Sequence, residues 1–423
     1  MKSTFFYLFC FIFLSWMTSC HRPLETHVPF IEPPDAPGHS PPASGERAPI
    51  SPSLTPIMPP SSSFVPQPSK TRLPAPLYAL SGESEHQQIW RLETDGRTAW
   101  PLTDEATGIT DFDVSPTTGQ LVYTTGDNRL MLADPFAQEA ELLDDKQGEN
   151  DQSVSMKRPR WSPDGKKIAY TLLDLHLIDV VSKQRQTLLK SQLIAEESDS
   201  GQMSHFYYPE SWSPDGKQLL VEVQTGETSY FLPFNMADRM LNEFDAPAEL
   251  ACCDPIWGHN SQSLYFAYDG PTIMLLGLRQ ANLRTGQIRS LLSENGNGWP
   301  IISRPTLALD GTLYAWRHPS QDKHAPNALP SEPPILQRLS PQHVSEQNSW
   351  QIVNPERHQP LETLWSPDFT LAIIRVANPA TDKTGDELRW LPATDYPSRR
   401  LPLQGHTLHW GRELPLLALS NKK

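Results

Sequence analysis

Trp161-Ser162-Pro163-Asp164-Gly165-Lys166-Lys167-Ile168-Ala169-Tyr170 recurs as Trp212-Ser213-Pro214-Asp215-Gly216-Lys217-Gln218-Leu219-Leu220-Val221. A third copy, Trp365-Ser366-Pro367-Asp368, precedes Leu371-Ala372-Ile373-Ile374. The chemistry of the motif predicts strand, tight turn, strand. Pro presets φ for the turn, Asp bonds back to the backbone, and Gly takes a positive φ. Trp is a large packing wedge just before the turn. On this reading Trp161, Asp164, Gly165, Trp212, Asp215, Gly216 and Trp365 are structural, and the tryptophans are expected to be buried between neighbouring units.

Weaker copies extend the series. Val114-Ser115-Pro116 stands before Leu121-Val122-Tyr123, Trp257 before Leu264-Tyr265-Phe266, and Leu307 before Asp310-Gly311. Trp410, followed by Leu414 to Leu419, is the last remnant. The anchors 114, 161, 212, 257, 307, 365 and 410 are 47, 51, 45, 50, 58 and 45 residues apart. That period matches the roughly 40–50 residues of a four-stranded propeller blade. The second half of a blade is also legible. Leu175 to Val180 and Gln186 to Leu189 read as a strand pair, as do Leu278 to Leu283 and Gln287 to Leu292. Ile89 to Leu92 and Thr98 to Leu102 form a similar pair before the first anchor.

W-S-P-D-G-K followed by an apolar strand resembles the PD40, or WD40-like, repeat of TolB-type β-propellers. The resemblance covers roughly residues 77 to 420. It implies an all-β fold: a single propeller with seven four-stranded blades, six or eight being the alternatives. Relatives of this kind carry an α/β domain before the propeller or an α/β-hydrolase after it. Here a stalk holds the first place and the sequence stops at Lys423, so neither addition is expected. The first strands lack an anchor and the last anchor lacks a complete blade. Pairing them removes two sheet edges, so the segment from Gly405 to Ser420 is expected in one sheet with the strands near Ile89.

The first 76 residues differ in texture. Met1 to Thr4 carries one positive charge, and Phe5 to Trp16 is an apolar run broken only by Ser15. Twelve residues are too few to span about 30 Å of hydrocarbon as a helix, but they suit the core of a signal peptide. Met17-Thr18-Ser19-Cys20 follows and resembles the lipobox of bacterial lipoproteins. The resemblance implies a signal peptide over 1–19 and lipid on Cys20, with membrane attachment through that anchor; the alternative is an ordinary secretory signal. His21 is not Asp, so in a host with two membranes the outer one is the expected destination. Residues 21 to 76 hold 16 prolines, and four acids balance four Lys and Arg. Proline fixes φ and removes amide donors, so neither helix nor sheet runs through such a stretch. The expected organisation is therefore signal peptide 1–19, lipidated stalk 20–76 and propeller 77–423.

The whole chain has 35 Lys and Arg against 49 Asp and Glu, a net charge of −14. That balance argues against a nucleic-acid partner, which needs a basic face to displace counterions. No G-x-S-x-G, H-E-x-x-H, Walker A, EF-hand or G-x-G-x-x-G pattern occurs, so no catalytic residue, metal or cofactor is assigned. Cys252-Cys253 reads either as two thiols before a core strand or as a strained vicinal disulfide. Joint metal binding with His259 falls short of the four ligands zinc wants.

In a propeller, connections between blades collect on one face around the channel. Those segments supply the candidate ligand face: Arg158, Arg160, His205, Tyr207, Tyr208, Glu210, Asp254, Arg304, Glu362 and His406. The alternative for each is ordinary packing or a solvated loop. The expected function is a non-catalytic, monomeric lipoprotein that binds an envelope protein or peptide. A glycan- or small-ligand-binding module is the runner-up, and a propeller hydrolase or lyase comes third.

Overall fold

The structure is a computed structural model. It describes residues 72–145, 156–192, 205–225, 228–242, 254–268, 277–292, 301–318, 335–339, 351–355, 360–376, 386–392 and 398–412. The segment read as a leader, Cys20, nearly all of the segment read as a stalk, Cys252-Cys253 and Leu414 to Leu419 lie outside these. The propeller falls within the compact unit Pro68–Lys423.

Twenty-eight strands make seven antiparallel four-stranded sheets, and the described residues contain no helix. Blade 1 combines β1 (Leu77–Ser81), β2 (Gln88–Leu92) and β3 (Ala99–Pro101) with the last strand, β28 (His406–Trp410), in the order β28-β1-β2-β3. Blade 2 is β4 (Ile109–Val114), β5 (Leu121–Thr125), β6 (Arg129–Ala133) and β7 (Ala140–Asp145). Blade 3 is β8 (Met156–Trp161), β9 (Lys167–Leu172), β10 (Asp174–Asp179) and β11 (Arg185–Leu189). Blade 4 is β12 (His205–Trp212), β13 (Gln218–Thr225), β14 (Thr228–Asn235) and β15 (Met240–Leu241). Blade 5 is β16 (Ile256–Trp257), β17 (Ser263–Tyr268), β18 (Gly277–Asn282) and β19 (Ile288–Leu292). Blade 6 is β20 (Ile301–Leu307), β21 (Leu313–His318), β22 (Ile335–Leu339) and β23 (Gln351–Pro355). Blade 7 is β24 (Pro360–Trp365), β25 (Leu371–Val376), β26 (Glu387–Pro392) and β27 (Arg399–Gln404).

Each of the seven sequence anchors is the last residue of the first strand of a blade. These first strands neighbour one another from blade to blade and so form the inner ring. The turn that follows is built as its residues dictate. In blade 3 the Ser162 hydroxyl donates to Asp164 Oδ1 at 2.7 Å, and the amide of Lys167 donates to Ser162 Oγ at 3.0 Å. Ser213-Asp215 and Ser366-Asp368 repeat the first bond at 2.8 and 2.6 Å. Gly165 has φ +66°, and a Cβ there would sit 1.9 Å from Thr117 Oγ1 of blade 2. In the third copy Phe369 takes the glycine place at φ +55°. Its ring stacks on Trp365, 5.7 Å between centroids.

Three of the anchor indoles bind backwards across blades. Trp212 Nε1 donates to the Arg160 carbonyl at 3.2 Å, Trp257 Nε1 to Ser211 at 3.2 Å, and Trp410 Nε1 to Trp365 at 2.6 Å. Trp161, Trp257 and Trp365 are buried, whereas Trp212 and Trp410 are half-buried. Trp212 packs against the apolar cluster of blades 3 to 5 but keeps part of its ring exposed. Its ring lines a shallow groove with Pro163, Pro214 and Met236 on the turn face.

Apolar clusters fill the space between every successive pair of blades. Leu130, Trp161, Ile168 and Tyr170 join blades 2 and 3, for example, and Leu77, Leu92, Leu371 and Leu403 join blades 1 and 7. Alternation along each strand explains this, since both faces of an inner sheet meet a neighbour. Residues before β1 contribute as well. Leu73 is buried, and its amide donates to the Thr94 carbonyl at 2.7 Å. The ring closes through β28, which pairs with β1 at Leu77↔Trp410 and Tyr78↔His409. Closure uses three N-terminal strands and one C-terminal strand. Gly405 makes the step possible: at φ +143°, a Cβ there would lie 2.1 Å from the Leu80 carbonyl oxygen.

Candidate functional site

Six inner strands, β4, β8, β12, β20, β24 and β28, break register at their approach ends. The seventh, β16, is only two residues long. A bulge inserts a residue and re-aims side chains, and such irregularities favour rims and functional faces. Counted from the anchors, the residue three places earlier is Asp111, Arg158, Pro209, Asp254, Arg304, Glu362 or Thr407. Arg158, Asp254 and Thr407 have φ of +52°, +49° and +55°. At the level of the backbone, a series of mostly charged positions therefore stands beside the register breaks of the inner strands, around the approach end of the channel.

On blades 2 to 4 this ring is a cross-blade network. Arg158 pairs with Glu222, lies 3.4 Å from Glu210 and covers the Tyr208 ring at 5.2 Å. Arg160 Nε donates to the Glu210 carbonyl at 3.1 Å, and Nη1 lies 3.5 Å from Asp111. Asp113 accepts the amide of Trp161 at 2.8 Å and meets His409 Nδ1 at 3.3 Å. On blades 7 and 1, Glu362 accepts the amides of Thr407 at 3.0 Å and Leu408 at 2.6 Å. Arg375 bridges Glu362 at 3.4 Å and Asp386 at 2.6 Å. His406 shares a hydrogen bond with Gln87 at 2.7 Å.

Of the residues singled out in the sequence, Arg158, Arg160, Tyr208 and Glu210 converge in the first arc, and Glu362 and His406 in the second. Asp254 acts on Glu210 through its charge. Tyr207 is not on this ring, since it packs into the apolar cluster of blades 3 to 5. His205 opens β12 and exchanges main-chain hydrogen bonds with Gln192. Arg304 is placed on the β20 backbone, with its side chain outside the described residues. His259 Nε2 donates to the Ala308 carbonyl at 2.6 Å. Asp113, Glu222, Arg375, Asp386 and His409 went unread in the sequence. Alignment on the anchors would have shown the charged position three places earlier; nothing local marks Glu222 or Arg375.

Desolvation sets the charge states of Asp113 and His409, which are partly buried. It pushes Asp113 up to about 6, against the pull of Arg160 and two backbone amides. It pushes His409 down to about 4, helped by Arg160. Near neutral pH the consistent state is a neutral imidazole donating to a carboxylate. The two shifts act oppositely on stability. Asp113, raised on folding, stabilises the fold below pH about 4, and that is lost as pH rises through about 6. His409, lowered on folding, stabilises it above the ordinary histidine range, and that is lost as pH falls towards about 4. Between pH 6 and 4 the pair largely cancels. Asp113→Asn is expected to lose stability on acidification across this window relative to wild type, and His409→Gln to gain it. Denaturant titrations at several pH values check this; parallel curves for all three proteins would contradict it.

Among the described residues, no group of three or more His, Cys, Asp and Glu is placed to hold a metal ion. No protein-family model matches the chain, and no curated protein matches it. Solved structures do. Oligogalacturonate lyase from Vibrio parahaemolyticus aligns with a TM-score of 0.50 and 12% identity, over 76% of this chain and 83% of that one. TolB from Acinetobacter baumannii aligns at 0.41 and 14%, over 79% and 82%. A prolyl endopeptidase aligns at 0.49 and 11%, over 79% of this chain and 51% of that one. At such identities the likeness is one of fold.

Proposed function

We propose that the protein is a lipid-anchored, extracytoplasmic lipoprotein of the bacterial envelope whose propeller is a non-catalytic scaffold for a protein or peptide. The observation that carries the binding role is the ring of charged residues beside the register breaks of the inner strands, at the channel mouth. Its groups are held by ion pairs and main-chain hydrogen bonds between blades, so the ring is rigid while its edges meet solvent. Arg158 and Glu210, for example, keep about a third of their side chains exposed. Preorganised charges of both signs favour selection of a complementary surface. The carboxylates that could act as acid or base are engaged: Asp113 and Glu362 each hold backbone amides of the next blade. Fold by itself does not choose between binding and catalysis.

Two measurements test the reading. A photo-crosslinking residue at His205, beside the ring, is expected to capture a discrete envelope partner in intact cells, while one at exposed Val181, on the β10–β11 turn, is not. Indistinguishable adducts from both positions would remove the mouth as the binding face. For the anchor, a fatty-acid analogue is expected to label the wild type and not Cys20→Ser. Equal labelling would leave an ordinary secretory signal.

A further inference from the structure

A second site lies away from the channel, on the side of the propeller where the ring closes. Between blades 7 and 1 the inner part of the interface is filled by Leu77, Leu371, Ile373 and Leu408. Towards the outside the filling stops and a cleft of about 750 Å³ remains. That is within the roughly 300–1,000 Å³ range of small-ligand sites.

The strand registers explain its walls. Trp90 shares the face of Leu92 on β2, and both point towards blade 7. On β27, Arg399 shares the face of Leu401 and Leu403, and it lies directly across the ladder from Trp390 of β26. The two indoles, each half-buried, are the aromatic walls. Arg97, from the β2–β3 turn, and Arg399 stand at the outer rim.

Among the described residues neither rim guanidinium is held by a side-chain hydrogen bond or an ion pair, in contrast to Arg158, Arg160 and Arg375 at the channel, although the charge of Arg97 also acts on Asp95. Arg400, beside them, keeps one contact with Glu387 at 3.4 Å and is half exposed. Among the described residues, the one carboxylate in the lining, Asp95, is occupied by its own turn. It accepts the amides of Arg97 and Thr98 at 2.8 and 2.9 Å and the Thr98 hydroxyl at 2.6 Å. The cleft therefore offers flat apolar surfaces and surplus positive charge on a chain whose net charge is −14. Indole faces suit the C–H face of a sugar ring, and an arginine fork suits a carboxylate or phosphate bidentately.

We propose that this cleft between blades 7 and 1 binds an anionic sugar, a pyranose bearing a carboxylate or a phosphate. The indoles of Trp90 and Trp390 pack against the ring, and Arg97 and Arg399 hold the acid group. The site is independent of the mouth, so it stands or falls apart from the scaffold function.

Calorimetric titration of the full-length protein tests it with three probes: a short oligohexuronate, a neutral oligosaccharide of equal length, and a hexose phosphate. The expected result is binding of at least one anionic probe and none of the neutral one. Which anionic probe binds tells carboxylate from phosphate. Arg97→Ala and Arg399→Ala should each weaken it by roughly tenfold, with Arg399→Lys between them and the wild type. All three side-chain changes are on the exposed rim, so the melting temperature should not move. Binding of the neutral probe as tightly as the anionic ones, arginine variants that bind like the wild type, or no binding of either anionic probe would each overturn the proposal.

Discussion

Deletion of residues 405–423 is expected to destabilise the entire propeller instead of fraying its end. The deletion removes β28, the inner strand of blade 1, and leaves β1 as an unpaired edge. It also strips contacts from both flanking blades. Glu362 of blade 7 loses the two amides it accepts, and Asp113 of blade 2 loses His409. Leu408 leaves the cluster between blades 7 and 1, and the Trp410 indole leaves the Trp365 carbonyl. Burial of one leucine alone stabilises by about 1.5–3 kcal/mol. The combined loss should exceed about 5 kcal/mol, which lowers the melting temperature by about 10 °C or more. Scanning calorimetry reads this directly. A soluble truncated protein with an unchanged transition would show that closure does not depend on β28.

Arg160→Met is expected to be the most damaging single change at the channel. Arg160 is shared by three blades. It reaches the Glu210 carbonyl and Asp111, lies close to Asp113, and its own carbonyl receives the Trp212 indole. Removing the cation leaves these carboxylates facing one another in a poorly solvated ring. Breaking such a pair typically costs about 3–5 kcal/mol. The lower end applies here, because about a fifth of the side chain is exposed. Acid should return part of the loss, since protonating Asp113 relieves the repulsion. Urea unfolding at pH 7 and pH 5 measures both parts. A loss below about 1 kcal/mol at pH 7 would mean that water in the channel, not Arg160, compensates the acids.

The repeat was legible because it rests on local chemistry. A tight turn needs Pro, Asp and Gly at fixed places, and the wedge before it needs Trp, so the seven anchors locate the ends of seven inner strands. Phe369 shows the limit of that logic. Its left-handed backbone contradicts the residue type and is supported by stacking on Trp365 and Tyr314, aromatic rings that no local pattern links. The channel network was legible in half. Arg158, Arg160, Glu210 and Glu362 precede anchors and could be selected by position. Their partners Glu222 and Arg375 lie on second strands, and His409 joins Asp113 only after the ring closes. Such pairings depend on blade packing, which sequence spacing does not encode. The cleft was not read at all, because Trp90 and Trp390 meet across almost the full length of the domain.

The closing blade also fixes how the domain meets mechanical load. The chain enters through Leu73 and Pro76, whose backbone groups are bonded to Thr94 and Gly411, and then becomes β1. This strand is neither an edge nor the innermost one; it lies between β28 and β2 with hydrogen bonds on both sides. A pull arriving from the N-terminal side therefore falls on two ladders together, and one of them belongs to the far end of the sequence. Tension at a single terminus is shared at once by both ends of the polypeptide, and a chain held from that side can bear force without peeling open at a blade edge.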